Sequence, residues 1–247
     1  MICDATAVNA SPTASRPGPT ARIRLITLDG NAYRLELAHL LPAYARGLPD
    51  ERAGQRERLE ANAALVVAWS AMAGVPAAGD AWSRHAGGAS RPPAAEPHLS
   101  LSHTRGFAAI ALCADAGIGV DIERTGDARQ LESVAAEAFE PGELRAWRSL
   151  PASERENALL MAWTRKEAVL KALGSGLAGG LRSVVLDAGG TLRALSPWAG
   201  DPAGWTLAGF AVGADAWGAV AVRHPAARVV LTEPEPARVL LRGVGCA

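Results

Sequence analysis

Two long helical stretches, each flanked by short strands, restrict this chain more than any other feature of its sequence. In the first, Glu51–Ala73, the residues Leu59, Leu65, Val66, Trp69 and Met72 fall on one stripe, and Gly74 ends the pattern. The second runs over Ser153–Leu173. Ser153 predicts an N-cap, with Glu156 three residues on to complete a capping box, and Gly174 predicts the stop. Before the first helix, Arg22–Leu28 alternates polar and apolar residues as a strand does. After it come a loop rich in Gly, Ala and Pro over 77–97 and two strands, Leu99–His103 and Phe107–Cys113, joined by a turn at Thr104–Gly106. The second half adds strands at Ile118–Glu123, Ser183–Asp187, Thr206–Val212 and Gly218–Arg223, and helices at Leu131–Phe139 and Gly142–Leu150. A long helix mixed with antiparallel strands in each half predicts an α+β fold. The expected divisions are a disordered tail over 1–21, an N-terminal α+β unit over 22–116, a C-terminal one over 117–231, and a second tail over 232–247.

A chain of 247 residues, 49% hydrophobic and 20% charged, can bury a sizeable core. Lysine plus arginine equal aspartate plus glutamate at 25 each, so nothing global draws it to nucleic acid or an anionic membrane. A phosphate site must therefore be built locally. The first 20 residues lack the basic and apolar regions of a signal peptide, and no later apolar run reaches the ~18 residues of a membrane span. The expectation is a cytoplasmic protein. Cys3, Cys113 and Cys246 are too few and too scattered for a zinc site or a disulfide framework.

Three segments carry residues suited to chemistry. In Gly119-Val120-Asp121-Ile122-Glu123, strand alternation puts Asp121 and Glu123 on one face and Val120 and Ile122 on the other. Adjacent carboxylates repel unless a cation lies between them, and Mg2+ prefers oxygen ligands. The same pattern also suits an ordinary solvated strand face. In Trp163-Thr164-Arg165-Lys166-Glu167-Ala168-Val169-Leu170-Lys171, residues 163, 167 and 171 share one helix face. Glu167 can complete a carboxylate set and Lys171 can meet a phosphate, while the plainest reading is an ion pair worth roughly 0.2–0.5 kcal/mol. The third segment, Leu99–His103, ends in Ser102 and His103 at a turn. Neighbouring residues of a strand point to opposite faces, so these two are not a nucleophile and its base. Gly174-Ser175-Gly176-Leu177-Ala178-Gly179 matches GxGxxG, but it follows a helix where a dinucleotide site needs it after a strand.

Taken in order, these segments resemble the surfactin-type 4′-phosphopantetheinyl transferases, whose marks are a GVDIE-like strand and, some forty residues on, a W-x-x-K-E-x-x-x-K helix. Here they stand at 119–123 and 163–171, followed by a glycine-rich turn at 174–177. Ser102-His103 matches the family's upstream serine–histidine motif, and Arg91-Pro92 its basic-residue–proline element. The resemblance covers about residues 50–225. Ser100 stands where the family usually has Asn, Thr104 where it has Ser, and Val67 where its first long helix commonly carries Arg.

The resemblance implies a pseudo-dimer of two similar α+β halves, monomeric as a chain, with the active site between them. It implies transfer of the phosphopantetheine arm of coenzyme A to a serine of an apo acyl or peptidyl carrier protein, in fatty acid or secondary metabolite synthesis. Asp121, Glu123 and Glu167 would hold Mg2+. Glu167 and Lys171 would be catalytic. Arg58, Arg91, Ser102, His103, Lys166 and Lys171 would bind coenzyme A. The same residues leave open a Mg2+-dependent hydrolase of a nucleotide-like pyrophosphate, and an inactive homologue that only binds coenzyme A or a carrier.

Overall fold

A computed structural model describes residues 17–28, 53–75, 77, 83–84, 90–91, 97–126, 131–175 and 180–241. The strands and helices in chain order are β1 (Thr20–Thr27), α1 (Ala53–Ala73), β2 (Ser83–Arg84), β3 (Ser90–Arg91), β4 (His98–Thr104), β5 (Phe107–Cys113), β6 (Ile118–Arg124), α2 (Leu131–Ala138), α3 (Pro141–Arg148), α4 (Ala152–Leu173), β7 (Val184–Leu186), β8 (Leu192–Leu195), β9 (Thr206–Val212), β10 (Ala216–Val222), β11 (Arg228–Leu231), β12 (Glu235–Pro236) and α5 (Ala237–Leu241). The fold is α+β.

Two sheets organise it. One has the order β11-β1-β5-β4, with β12 also paired to β1; the other has the order β6-β10-β9. Alternation along the strands sorts their side chains into layers. In β1 and β5, Ile26, Ala108, Ile110 and Leu112 pack against Leu59, Leu65, Val66 and Trp69 of α1. The alternate residues Ala21, Ile23, Leu25, Ala109, Ala111 and Cys113 form a second cluster with Val120, Ile122, Val220 and Val222 of the other sheet. On that sheet's far side, Ala219 and Ala221 pack with Ala168, Val169 and Leu170 of α4. The layers therefore run helix, sheet, sheet, helix.

The ends of the chain differ from the expectation. β1 begins at Thr20, inside the stretch expected to be a tail, and residues 1–16 lie outside the described part. Beyond residue 231 the chain forms β12 and α5, where a second tail was expected. β11 and β12 pair in parallel with β1, and Ala237 and Leu241 enter the core beneath α1. The last elements thus complete the first sheet. Residues 242–247 lie outside the described part.

The capping box is also elsewhere. α4 has Pro151 at its N-cap and no side-chain cap, whereas Glu140 and Glu143 form a reciprocal box at the start of α3. Pro151 cannot donate and presets an entry angle, so α4 starts one residue before Ser153. Its C-terminus ends as expected, with Gly174 at φ 72°. No described helix is long and apolar enough to cross a membrane.

Candidate active site

The glycine of the GVDIE segment sets the site's geometry. Gly119, Asp121 and Glu123 share the face of β6 that α4 covers. A Cβ added to Gly119 would stand 2.0 Å from the Ala168 carbonyl oxygen and 2.5 Å from the Ala172 nitrogen. Helix backbone therefore lies directly on strand backbone there, and Glu167 and Lys171 come down beside Asp121. Gly119→Ala should force the two apart. Overpacking of this kind costs about 1–3 kcal/mol, which corresponds to a fall of roughly 2–12 °C in Tm for a chain of this size. A thermal melt checks it, and an unchanged Tm would contradict the close approach.

Strand β4 meets β6 through side chains. The Val120 N–H donates to Ser100 Oγ at 3.0 Å, and Ser102 Oγ donates to Asp121 Oδ1 at 2.8 Å. Both hydroxyls are buried, and together they tie the edges of the two sheets. Trp69 Nε1 donates to the Pro97 carbonyl at 2.9 Å and fixes where β4 begins.

Asp121 is the hub. Its Oδ1 also accepts from Lys171 Nζ at 2.7 Å, and that ammonium donates to the Val120 carbonyl at 3.1 Å. The Asp121 side chain is 4% exposed and that of Lys171 is 27% exposed. The helical spacing predicts Glu167 as the partner of Lys171, but the ammonium reaches across to the strand. Asp121 Oδ2 is buried with no hydrogen-bond partner. Glu167 is buried too. Burial first, and then the charge of Asp121, raise its pKa above the ordinary carboxylate value, while Lys171 opposes the shift. Glu123 is half-buried and already engaged in a polar interaction.

A positive rim adjoins this hub. His103 is exposed at the end of β4. The protein around its ring, then the cations Arg58 and Lys171, hold its pKa below the usual histidine value, and Glu57 opposes them. Arg58 owes its place to α1, whose Glu57 accepts the Gly106 N–H at 3.0 Å and so clamps the helix to the β4–β5 turn.

Of two further residues expected at coenzyme A, the structure describes the side chain of one. Arg91 pairs with Ser83 through its backbone in β3, and its side chain lies outside the described part. Lys166 is fully buried and bonds Glu143 and backbone carbonyls, so its ammonium faces the core. The cause is the helical turn: Lys166 projects ~100° around α4 from Glu167. Ser100 was not among the expected site residues. Its place two residues before Ser102, on the same face of the strand, is the available signal.

Among the described residues, no group of three or more His, Cys, Asp or Glu side chains is arranged to hold a metal ion. The donors nevertheless suit a hard cation. Asp121 Oδ2 is a buried carboxylate oxygen lacking a partner, and Glu167 carries a charge that burial and Asp121 both disfavour. Mg2+ is commonly held by one or two carboxylates, with water and phosphate oxygens completing its shell. Two protein carboxylates are thus a sufficient set.

Residues 117–215 match a family model described as the 4′-phosphopantetheinyl transferase superfamily. The chain is 32% identical over 111 residues to a Synechocystis sp. protein named "Putative 4'-phosphopantetheinyl transferase slr0495", covering 45% of each chain. It is 39% identical over 80 residues to "4'-phosphopantetheinyl transferase HetI" of Nostoc sp., covering 32% of this chain and 34% of that one. The chain thus spans less than half the length of these curated relatives.

Proposed function

We propose, from the match over residues 117–215 and the site within it, that this protein is a surfactin-type 4′-phosphopantetheinyl transferase. It moves the phosphopantetheine arm of coenzyme A to a serine hydroxyl of an apo acyl or peptidyl carrier protein and releases 3′,5′-ADP. The observation that carries the reading is the hub at Asp121: one oxygen held by Ser102 and Lys171, the other buried and unpartnered, with Glu167 beside it. The helix and sheet in each half support a pseudo-dimeric architecture with the site at the junction of β4 and β6.

Asp121 and Glu167, with Glu123 at the edge, would hold Mg2+. When bound, the ion neutralises charge on the pyrophosphate of coenzyme A. The serine oxygen forms a bond to the β-phosphorus while that phosphorus releases the bridging oxygen to 3′,5′-ADP. Glu167 accepts the serine proton, directly or through water. Lys171 faces the charge that grows on the leaving phosphate. Arg58 and His103 bind the 3′-phosphate end, and Ser102 holds Asp121 in orientation.

The test measures 3′,5′-ADP release from coenzyme A and Mg2+, with and without an apo carrier. Transfer predicts release only with the carrier, at one equivalent per carrier modified. Release without a carrier would replace the reading by hydrolysis. Binding of coenzyme A with no release in either case would leave an inactive homologue.

The rim makes a pH prediction. An anion at His103 favours the imidazolium and raises a pKa that the free protein holds low. Binding therefore takes up a proton. His103 contributes most below its free-state pKa and least above its bound-state pKa. KM for coenzyme A should rise as pH increases through that window, relative to His103→Ala. Identical pH profiles for wild type and variant would remove His103 from the binding site.

A further inference from the structure

Lys166 is the only lysine or arginine among the described residues whose side chain is fully buried. Its ammonium donates to Glu143 Oε2 at 2.6 Å, the Val184 carbonyl at 2.6 Å and the Ala138 carbonyl at 3.0 Å, with the Leu181 carbonyl at 3.5 Å. An ammonium has three donors, so none is left for a ligand. Glu143 is equally committed. Its Oε2 also accepts the Glu140 N–H at 2.9 Å, and its Oε1 accepts the Leu186 N–H at 2.8 Å. The end of α2, the start of α3, the 181–184 turn and β7 thus converge on one residue of α4, next in sequence to Glu167.

This clamp has no evident value as a source of stability alone. Well-packed apolar residues of the same volume commonly hold a core as well as a buried ion pair does. Directional hydrogen bonds do something an apolar contact cannot, which is to admit a single rotation and height of the helix. α4 needs that. Its closest contact with β6 runs through Gly119, Ala168 and Ala172, which have no long side chains, and the Lys171 ammonium that bridges to Val120 and Asp121 sits on a flexible stem. We propose that Lys166 and Glu143 are positioning residues: their buried pair sets the rotation and axial placement of α4, and so holds Glu167 at working distance from Asp121. The inference rests on the transfer reading and assigns Lys166 a role away from coenzyme A.

The experiment compares wild type with the double variant Lys166→Met/Glu143→Leu, which removes both charges at nearly constant volume. Readouts are Tm, and kcat and KM for coenzyme A in carrier modification. Displacement by about 1 Å costs on the order of 100-fold in rate. The expected result is a Tm within roughly 5 °C of wild type, judged from the scale on which small stability changes move Tm. With it come a kcat lower by about 10- to 100-fold and a KM changed less than about threefold. Wild-type kcat in a folded double variant overturns the proposal, as does a raised KM at unchanged kcat, which returns Lys166 to coenzyme A. If the double variant does not fold, Glu143→Gln is measured on the same axes. A several-fold lower kcat at constant KM then supports positioning, and unchanged kcat overturns it. A wild-type protein with no transfer activity would show instead that the transfer reading itself is wrong, and the positioning role falls with it.

Discussion

Asp121→Asn is expected to reduce kcat for carrier modification by a factor on the order of 1,000 while leaving the fold in place. The substitution keeps the side chain's shape. Oδ1 can still accept from Ser102 and Lys171, so the tie between β4 and β6 survives. What disappears is the negative charge on the buried, unpartnered oxygen. A hard cation binds a neutral amide far less well than a carboxylate. Removing a single preorganised stabiliser of transition-state charge typically costs ~100- to 1,000-fold in rate, and if Asp121 holds Mg2+ as proposed, its loss places this variant at the upper end. Two effects on stability oppose one another: Glu167 loses a repulsive neighbour, and Lys171 loses an attractive one. Tm should move by only a few degrees, roughly the span of 1 kcal/mol in a chain this long. Steady-state kinetics over a range of Mg2+ concentrations check it. Near-wild-type turnover at limiting Mg2+ would remove Asp121 from the metal site.

Lys171→Ala separates two roles for one ammonium. As the ion-pair partner of a carboxylate only 4% exposed, Lys171 also supports the fold, since its loss leaves a buried charge at Asp121 without its cation. As the group facing the departing 3′,5′-ADP, it should account for a factor on the order of 100 in kcat. The variant should therefore melt measurably below wild type, and its kcat should fall far more than that loss of stability explains. Lys171→Arg keeps the positive charge but stays protonated, so it should restore binding more than turnover. An unchanged kcat in Lys171→Ala would leave this residue as a support for Asp121 only. The sign of the Glu167 shift adds a check. Lys171 works against the rise in that pKa, so its loss pushes Glu167 further up. A group whose folded pKa is raised destabilises the fold as pH rises from its unfolded pKa through its folded pKa. Lys171→Ala should lose more stability than wild type over that interval.

The period of the sequence revealed the site's strand and helix because both elements have strong local signals. Val120 and Ile122 are apolar where the inter-sheet core needs them, and Asp121 and Glu123 take the opposite face. Other features depend on contacts that spacing does not contain. The partner of Lys171 follows from where α4 crosses β6, which the close approach at Gly119 decides. The burial of Lys166 follows from α2, α3 and β7 closing around it; from sequence it is one more charged residue beside Glu167. β12 and α5 escaped notice because Glu233-Pro234-Glu235-Pro236 reads as an unstructured run. An edge strand beside β1 tolerates proline, and the short helix after it is held by tertiary packing on α1.

On the proposed function, the hydroxyl of a carrier serine, and not water, takes the phosphopantetheine arm. The measurement is the intact mass of an apo carrier protein after incubation with this protein, coenzyme A and Mg2+. The carrier's serine should gain one phosphopantetheine. Consumption of coenzyme A while the carrier mass stays unchanged, across fatty acid, polyketide and peptide carriers, would contradict it.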